Sequence, residues 1–197
     1  MPTPFRLYFG TYTRNSSSQG IYAAQLDPAS GALSAPVVVA KLTDPSWITL
    51  TPDRRFLYAI HAAPVQALGF VVDPATSQLQ PLPSPAPTGG ANPPSHLAVD
   101  ATGRVLLSAN YRDGYITAVP IAPDGSLGEP RVVPHHGSGP NLKRQDKPHP
   151  HSVTLSPDNR FVIVADLGTD QVITYALDAA RASLAPGPTP AVRTAPG

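Results

Sequence analysis

Cysteine is absent from the 197 residues, which excludes disulfides, thiolate zinc sites and a cysteine nucleophile. Charge is scarce too: 14 Lys and Arg stand against 13 Asp and Glu, for a net charge of +1. No basic stripe exists to grip nucleic acid. No apolar run approaches the roughly 18 residues that a bilayer-spanning helix needs. The opening Met1-Pro2-Thr3-Pro4-Phe5 has neither the basic nor the apolar stretch of a secretory leader. A cytoplasmic protein with no nucleic-acid or membrane partner is the expectation. Long helices are disfavoured as well, because 26 Pro and 15 Gly make up about a fifth of the chain and each interior proline costs a helix about 3 kcal/mol. With 41% hydrophobic residues to build a core, the composition points to an all-β, turn-rich domain.

What the chain does have is a repeat. Pro45-Ser46-Trp47-Ile48-Thr49-Leu50 superposes without gaps on Pro94-Ser95-His96-Leu97-Ala98-Val99 and on Pro150-His151-Ser152-Val153-Thr154-Leu155. An arginine follows each proline at the same offset (Arg55, Arg104, Arg160), and a polar residue follows at a second offset (His61, Asn110, Asp166). Between these marks lie apolar runs such as Phe56-Leu57-Tyr58-Ala59-Ile60 and Phe161-Val162-Ile163-Val164-Ala165. A second pair of runs completes each unit, as in Ile21–Asp27 then Leu33, Leu68–Asp73 then Leu79, and Val172–Asp178 then Leu184. The turns carry proline to preset φ and glycine to accept positive φ. One unit therefore reads as four short strands, a to d, which is the blade of a β-propeller.

Blades are expected at approximately 5–39, 45–82, 94–132 and 150–187, with 188–197 as a linker toward a further blade. The first lacks its strand a, since Leu7-Tyr8 aligns with Leu57-Tyr58. About four blades are present, and the chain reads as part of a ring. A complete ring is expected to be a monomer; a partial one has an exposed sheet edge and invites edge-to-edge association. Strand a (Ile48 to Thr51) and strand b (Phe56 to Ile60) run antiparallel. Segments that enter a and leave b therefore share one rim, and the Pro-Asp-Arg turns lie on the other.

Several motifs carry a family resemblance: Gly10-Thr11-Tyr12-Thr13, Ser18-Gln19-Gly20-Ile21-Tyr22, Ala109-Asn110-Tyr111 and Gly137-Ser138-Gly139-Pro140. The most specific are Arg144-Gln145 with Pro148-His149-Pro150-His151-Ser152, and Ala165-Asp166-Leu167-Gly168-Thr169-Asp170. On these the chain resembles the seven-bladed lactonase propellers of the 6-phosphogluconolactonase type, matching about their N-terminal half. The resemblance implies hydrolysis of 6-phosphoglucono-δ-lactone in the pentose phosphate pathway, with a phosphorylated sugar lactone as small-molecule partner and no cofactor. Related carboxy-muconate lactonising enzymes work without metal and use a histidine of the Pro-His-x-His region as acid or base. A lactonising cycloisomerase is thus one alternative, and a non-catalytic binding platform another.

Lactone hydrolysis needs a base for water, a donor for the oxyanion and a cation for the phosphate. The long connection from Pro134 to His151 offers His135, His136, Lys143, Arg144, Lys147, His149 and His151, and connections of that length are usually functional or disordered. His151 and His149 are the candidate bases, with the choice between them open. Arg144 suits an anion clamp by its planar fork. Asn110 and Asp166 share the rim, and Asp166 is placed to touch His151; Tyr12 completes the substrate-contacting set. His135 and His136 read as a solvated loop, and His61 and His96 as strand-end caps. His149-Pro150-His151 lacks a third ligand, so no metal is expected.

Overall fold

The computed structural model describes residues 3–83 and 89–196; Met1, Pro2, 84–88 and Gly197, the last residue of the expected linker, lie outside them. The described residues form four separate antiparallel sheets, each a meander in chain order. The first has three strands, β1 (Phe5–Phe9), β2 (Gly20–Leu26) and β3 (Val37–Lys41). The second runs β4 (Ile48–Leu50), β5 (Phe56–Ala62), β6 (Val65–Val72) and β7 (Leu79–Pro81). The third runs β8 (His96–Val99), β9 (Val105–Asn110), β10 (Tyr115–Pro120) and β11 (Arg131–Pro134). The fourth runs β12 (Pro150–Leu155), β13 (Phe161–Asp166), β14 (Gln171–Asp178) and β15 (Ser183–Arg193). These are propeller blades, all-β as the repeat predicts, and the first indeed lacks its inner strand.

Side-chain alternation explains how the blades stack. On β5, Leu57 and Ala59 point to the first blade and join Ile21, Ala23 and Val39 in one core. Phe56, Tyr58 and Ile60 point the other way, against Leu97, Leu106 and Val119 of the third. Val105, Leu107 and Ala109 of β9 then meet Val153, Val162 and Val164 of the fourth. A strand buried on both faces is apolar at nearly every position, which is why Phe56–Ile60 of β5 is an unbroken hydrophobic run, while β9 carries buried Ser108 and Asn110 that pair with each other. Each fully buried aliphatic side chain contributes about 1.5–3 kcal/mol. The inner strands β4, β8 and β12 contact one another in sequence, and β12 also leans on β9.

The register settles the two rims. Ile48 pairs with Ala59, His96 with Ala109 and Pro150 with Asp166, so each inner strand begins where its neighbour ends. At the opposite rim an aspartate or its equivalent organises each a–b turn. Asp53 accepts from the Thr51 hydroxyl at 2.6 Å, and Asp158 from that of Ser156 at 2.6 Å. The residue that turns the chain has positive φ in all three repeats, at Arg54 (61°), Gly103 (71°) and Asn159 (60°).

One boundary differs from expectation. Residues 188–193 are not linker: β15 runs to Arg193, with Gln171 opposite Arg193 and Val172 opposite Val192. A register shift between Ile173 and Tyr175 absorbs the proline-rich stretch. Proline lacks the N–H that a central strand must donate, but an outermost strand has one free side and tolerates it.

Candidate functional site at the inner-strand rim

Asp166 ends β13 with its side chain fully buried. Its Oδ1 accepts the backbone N–H groups of His149 at 2.8 Å and Gly168 at 3.0 Å, and its Oδ2 lies 2.6 Å from Nδ1 of His135. Burial alone would raise this carboxyl; the His135, His149 and Gly168 donors outweigh it and hold the carboxyl below its usual range. The expected pairing of Asp166 with His151 is therefore replaced by one with His135. That residue is no solvated loop: its side chain is fully buried and its ring stacks on Tyr175 with centroids 5.9 Å apart. Only His136 is exposed. Gly168 must be glycine, because a Cβ would meet the Lys147 carbonyl oxygen at 1.9 Å.

The carboxylate thus staples the connection ahead of β12 and places His149. The ring of His149 is stacked on Tyr111 at 4.5 Å, and its Nδ1 lies 2.8 Å from the Tyr111 carbonyl oxygen. A carbonyl only accepts, so Nδ1 carries the proton and Nε2 is the basic atom. Asp146 Oδ1 stands 3.4 Å from Nε2, an acceptor for the N–H that forms when Nε2 is protonated. His151 is exposed, edge-on to Tyr111 at 5.6 Å, and its carbonyl oxygen accepts the Ser95 hydroxyl at 2.9 Å. The two histidines flank one tyrosine on the same rim.

The other expected residues separate into two groups. Arg144 is exposed on the connection, and its guanidinium has no hydrogen-bond or ionic partner among the described residues. Its neighbour Gln145, part of the Arg144-Gln145 motif but assigned no role from the sequence, is fully buried. The Gln145 amide donates to the Leu167 carbonyl at 2.8 Å and to Asp170, and accepts the Asn141 N–H at 3.0 Å. Gly139 packs so closely on it that a Cβ would sit 2.4 Å from its Oε1. Asn110 is buried within its blade, donating to Ser108 Oγ at 2.9 Å, which in turn meets Thr117 Oγ1 at 2.6 Å. Tyr12 is 70% exposed on a loop fixed by Asp44 through the Thr13 and Arg14 N–H groups at 2.7 and 3.0 Å. Neither Asn110 nor Tyr12 joins the histidines.

The row continues inward. His96 opens β8, its Nδ1 faces the Val153 N–H at 3.5 Å, and its ring lies 4.1 Å from that of Trp47. Burial, and then the neighbouring His151, push its pKa down to about 4, so it is neutral near pH 7. His61 instead donates locally from Nδ1 to the Pro64 carbonyl at 3.0 Å, and acts as the cap its position suggests. Among the described residues, no three His, Asp or Glu side chains are grouped to hold a metal ion.

The rim bears an oriented histidine, a second open one and a free arginine, and the sequence that builds it matches the family lactonase, 7-bladed β-propeller, over residues 6–197. The chain belongs to that family. It is 36% identical over 173 residues to a 6-phosphogluconolactonase of Bacillus subtilis, covering 86% of this chain and 48% of that protein. It is 30% identical over 166 residues to a 6-phosphogluconolactonase of Cronobacter sakazakii, covering 84% of this chain and 45% of that protein. Among solved structures it superposes on the periplasmic gluconolactonase PpgL of Pseudomonas aeruginosa with a TM-score of 0.87 at 31% identity, over 99% of this chain and 56% of that one. The chain spans about half the length of the lactonase relatives it matches.

Proposed function

We propose that this lactonase-family chain supplies the histidine rim of an enzyme that hydrolyses 6-phosphoglucono-δ-lactone to 6-phosphogluconate. The observation that carries the reading is the fixed tautomer of His149, whose Nδ1–H is committed to the Tyr111 carbonyl while Nε2 stays basic. In this reading Nε2 takes a proton from water as the water oxygen bonds to the lactone carbonyl carbon. The tetrahedral intermediate then expels the ring oxygen, which receives the proton from His149. One water is consumed and the imidazole is regenerated. Arg144 holds the phosphate by its fork, and exposed His151 contacts the substrate at the mouth.

The test is a coupled assay in which a dehydrogenase oxidises 6-phosphogluconate as it forms. His149→Asn is expected to lower kcat by about 10²–10⁴-fold, while Arg144→Ala raises KM for the phosphorylated lactone. Similarity to the Pseudomonas gluconolactonase favours a second reading, in which unphosphorylated gluconolactone is the substrate. Arg144→Ala would then leave KM for that lactone unchanged. We keep the cytoplasm as the proposed compartment, to be checked by cell fractionation.

A further inference from the structure

Trp47 is the chain's one tryptophan. It is 40% exposed, yet its position is fixed from two sides. The indole Nε1–H donates to the Leu97 carbonyl oxygen on β8 at 2.9 Å, and the ring lies against the His96 imidazole with centroids 4.1 Å apart and planes inclined by 35°. A large aromatic face held open to solvent and locked in one orientation is a ready-made platform. The imidazole beside it is equally committed. Its Nδ1 faces the Val153 N–H, so the neutral ring carries its proton on Nε2, an atom with no partner among the described residues.

These two residues come from consecutive blades and occupy equivalent places in the repeat, Pro45-Ser46-Trp47 and Pro94-Ser95-His96. Both stand at the start of inner strands that touch one another. The next blade brings His151 near enough to act on His96 through its charge. Tyr111 then links His151 to His149 by ring contacts of 5.6 and 4.5 Å. The row of rings therefore ends, at one side, in the basic atom of the proposed hydrolytic site and, at the other, in an open indole.

We propose that Trp47 and His96 form the sugar-ring subsite of the rim, the indole face taking the C–H face of a six-membered sugar lactone and His96 Nε2–H donating to one of its oxygens. The class of ligand rests on the lactonase reading; the existence of the platform does not. Binding pockets for such ligands combine an apolar wall with a few placed donors, and this pair supplies one of each.

Because the chain has one tryptophan, its emission reports on the subsite directly. The experiment titrates glucose 6-phosphate, a six-membered sugar ring with no lactone bond to hydrolyse, into the protein while following Trp47 fluorescence, and separately measures lactone turnover by wild type, Trp47→Leu, His96→Ala and His96→Gln. Far-ultraviolet circular dichroism checks that each variant is folded. The expected result is a saturable emission change in wild type that weakens about tenfold in His96→Ala. KM is expected to rise about tenfold in Trp47→Leu and His96→Ala, with kcat within about threefold, and to recover in part in His96→Gln, which keeps a donor. Normal KM in both Trp47→Leu and His96→Ala overturns the subsite while leaving the hydrolase reading intact. Absence of turnover in wild type, with an emission change still lost in His96→Ala, overturns the hydrolase reading and keeps the subsite. An emission unmoved by millimolar glucose 6-phosphate overturns the subsite.

Discussion

At the scale of single residues, the decisive group is a carboxylate that never meets solvent. Asp166 joins His135, the His149 backbone and Gly168, so its removal strands a buried imidazole and two buried N–H donors at once. Each buried donor left without its partner typically costs about 1–3 kcal/mol. Asp166→Ala is expected to lower the unfolding free energy by about 3 kcal/mol in urea denaturation; a loss below about 1 kcal/mol would show that the staple is not needed. The sequence placed Asp166 on the correct rim but gave it the wrong partner. His135 lies in the connection between blades, where no repeat supplies an equivalent position, so nothing in the repeat marked it as buried. The burial of Gln145, named only as part of its motif, was hidden for the same reason. His149 and His151, beside the repeat's own proline, were legible.

His96 gives the residue scale a second, pH-resolved prediction. Its folded pKa of about 4 lies below the ordinary histidine value of 6.5. Between those values the unfolded chain binds the proton and the folded chain does not, so stability rises with pH across that window and falls on acidification toward 4. Asp44 acts in a different window. Burial would raise its carboxyl, but the Arg14 and Thr13 donors hold it to about 2, so its contribution is present above about 3.8 and lost as pH falls through 2. Urea midpoints measured from pH 6.5 to 4 should fall less in His96→Gln than in wild type. Parallel slopes in the two proteins would contradict the assignment.

Among the structural elements, the turns between inner and second strands were the most legible part of the chain. Arg55, Arg104 and Arg160 recur at one offset from their prolines, and the fold places a left-handed residue just before or near each, at Arg54, Gly103 and Asn159. At Gly103 a Cβ would meet nothing closer than the Pro52 Cδ at 3.7 Å, so substitution there tests backbone conformation alone. Gly103→Ala is expected to cost about 1 kcal/mol, read from thermal unfolding; an unchanged melting temperature would contradict it. The outermost strand β15 was the least legible element. Pro188 and Pro190 read as a linker because the sequence does not reveal which strand has a free edge, and only an edge strand accommodates them together with Pro186.

On the scale of the whole molecule, four blades bury their shared faces and bring to one rim residues from widely separated repeats: Trp47, His96, Tyr111, His149 and His151. The propeller and the rim shared by the strand ends were readable because a period-two strand pattern and an antiparallel hairpin fix which ends coincide. Which side chains meet there was not readable, since that depends on the irregular connection from Pro134 to His149. The most direct test is turnover of 6-phosphoglucono-δ-lactone by the wild-type protein and by His149→Asn, side by side in the coupled assay. The account predicts catalysed hydrolysis by wild type and a fall in kcat of about 10²–10⁴-fold in the variant. Equal rates in the two proteins, or a wild-type rate no greater than spontaneous opening of the lactone, would contradict it.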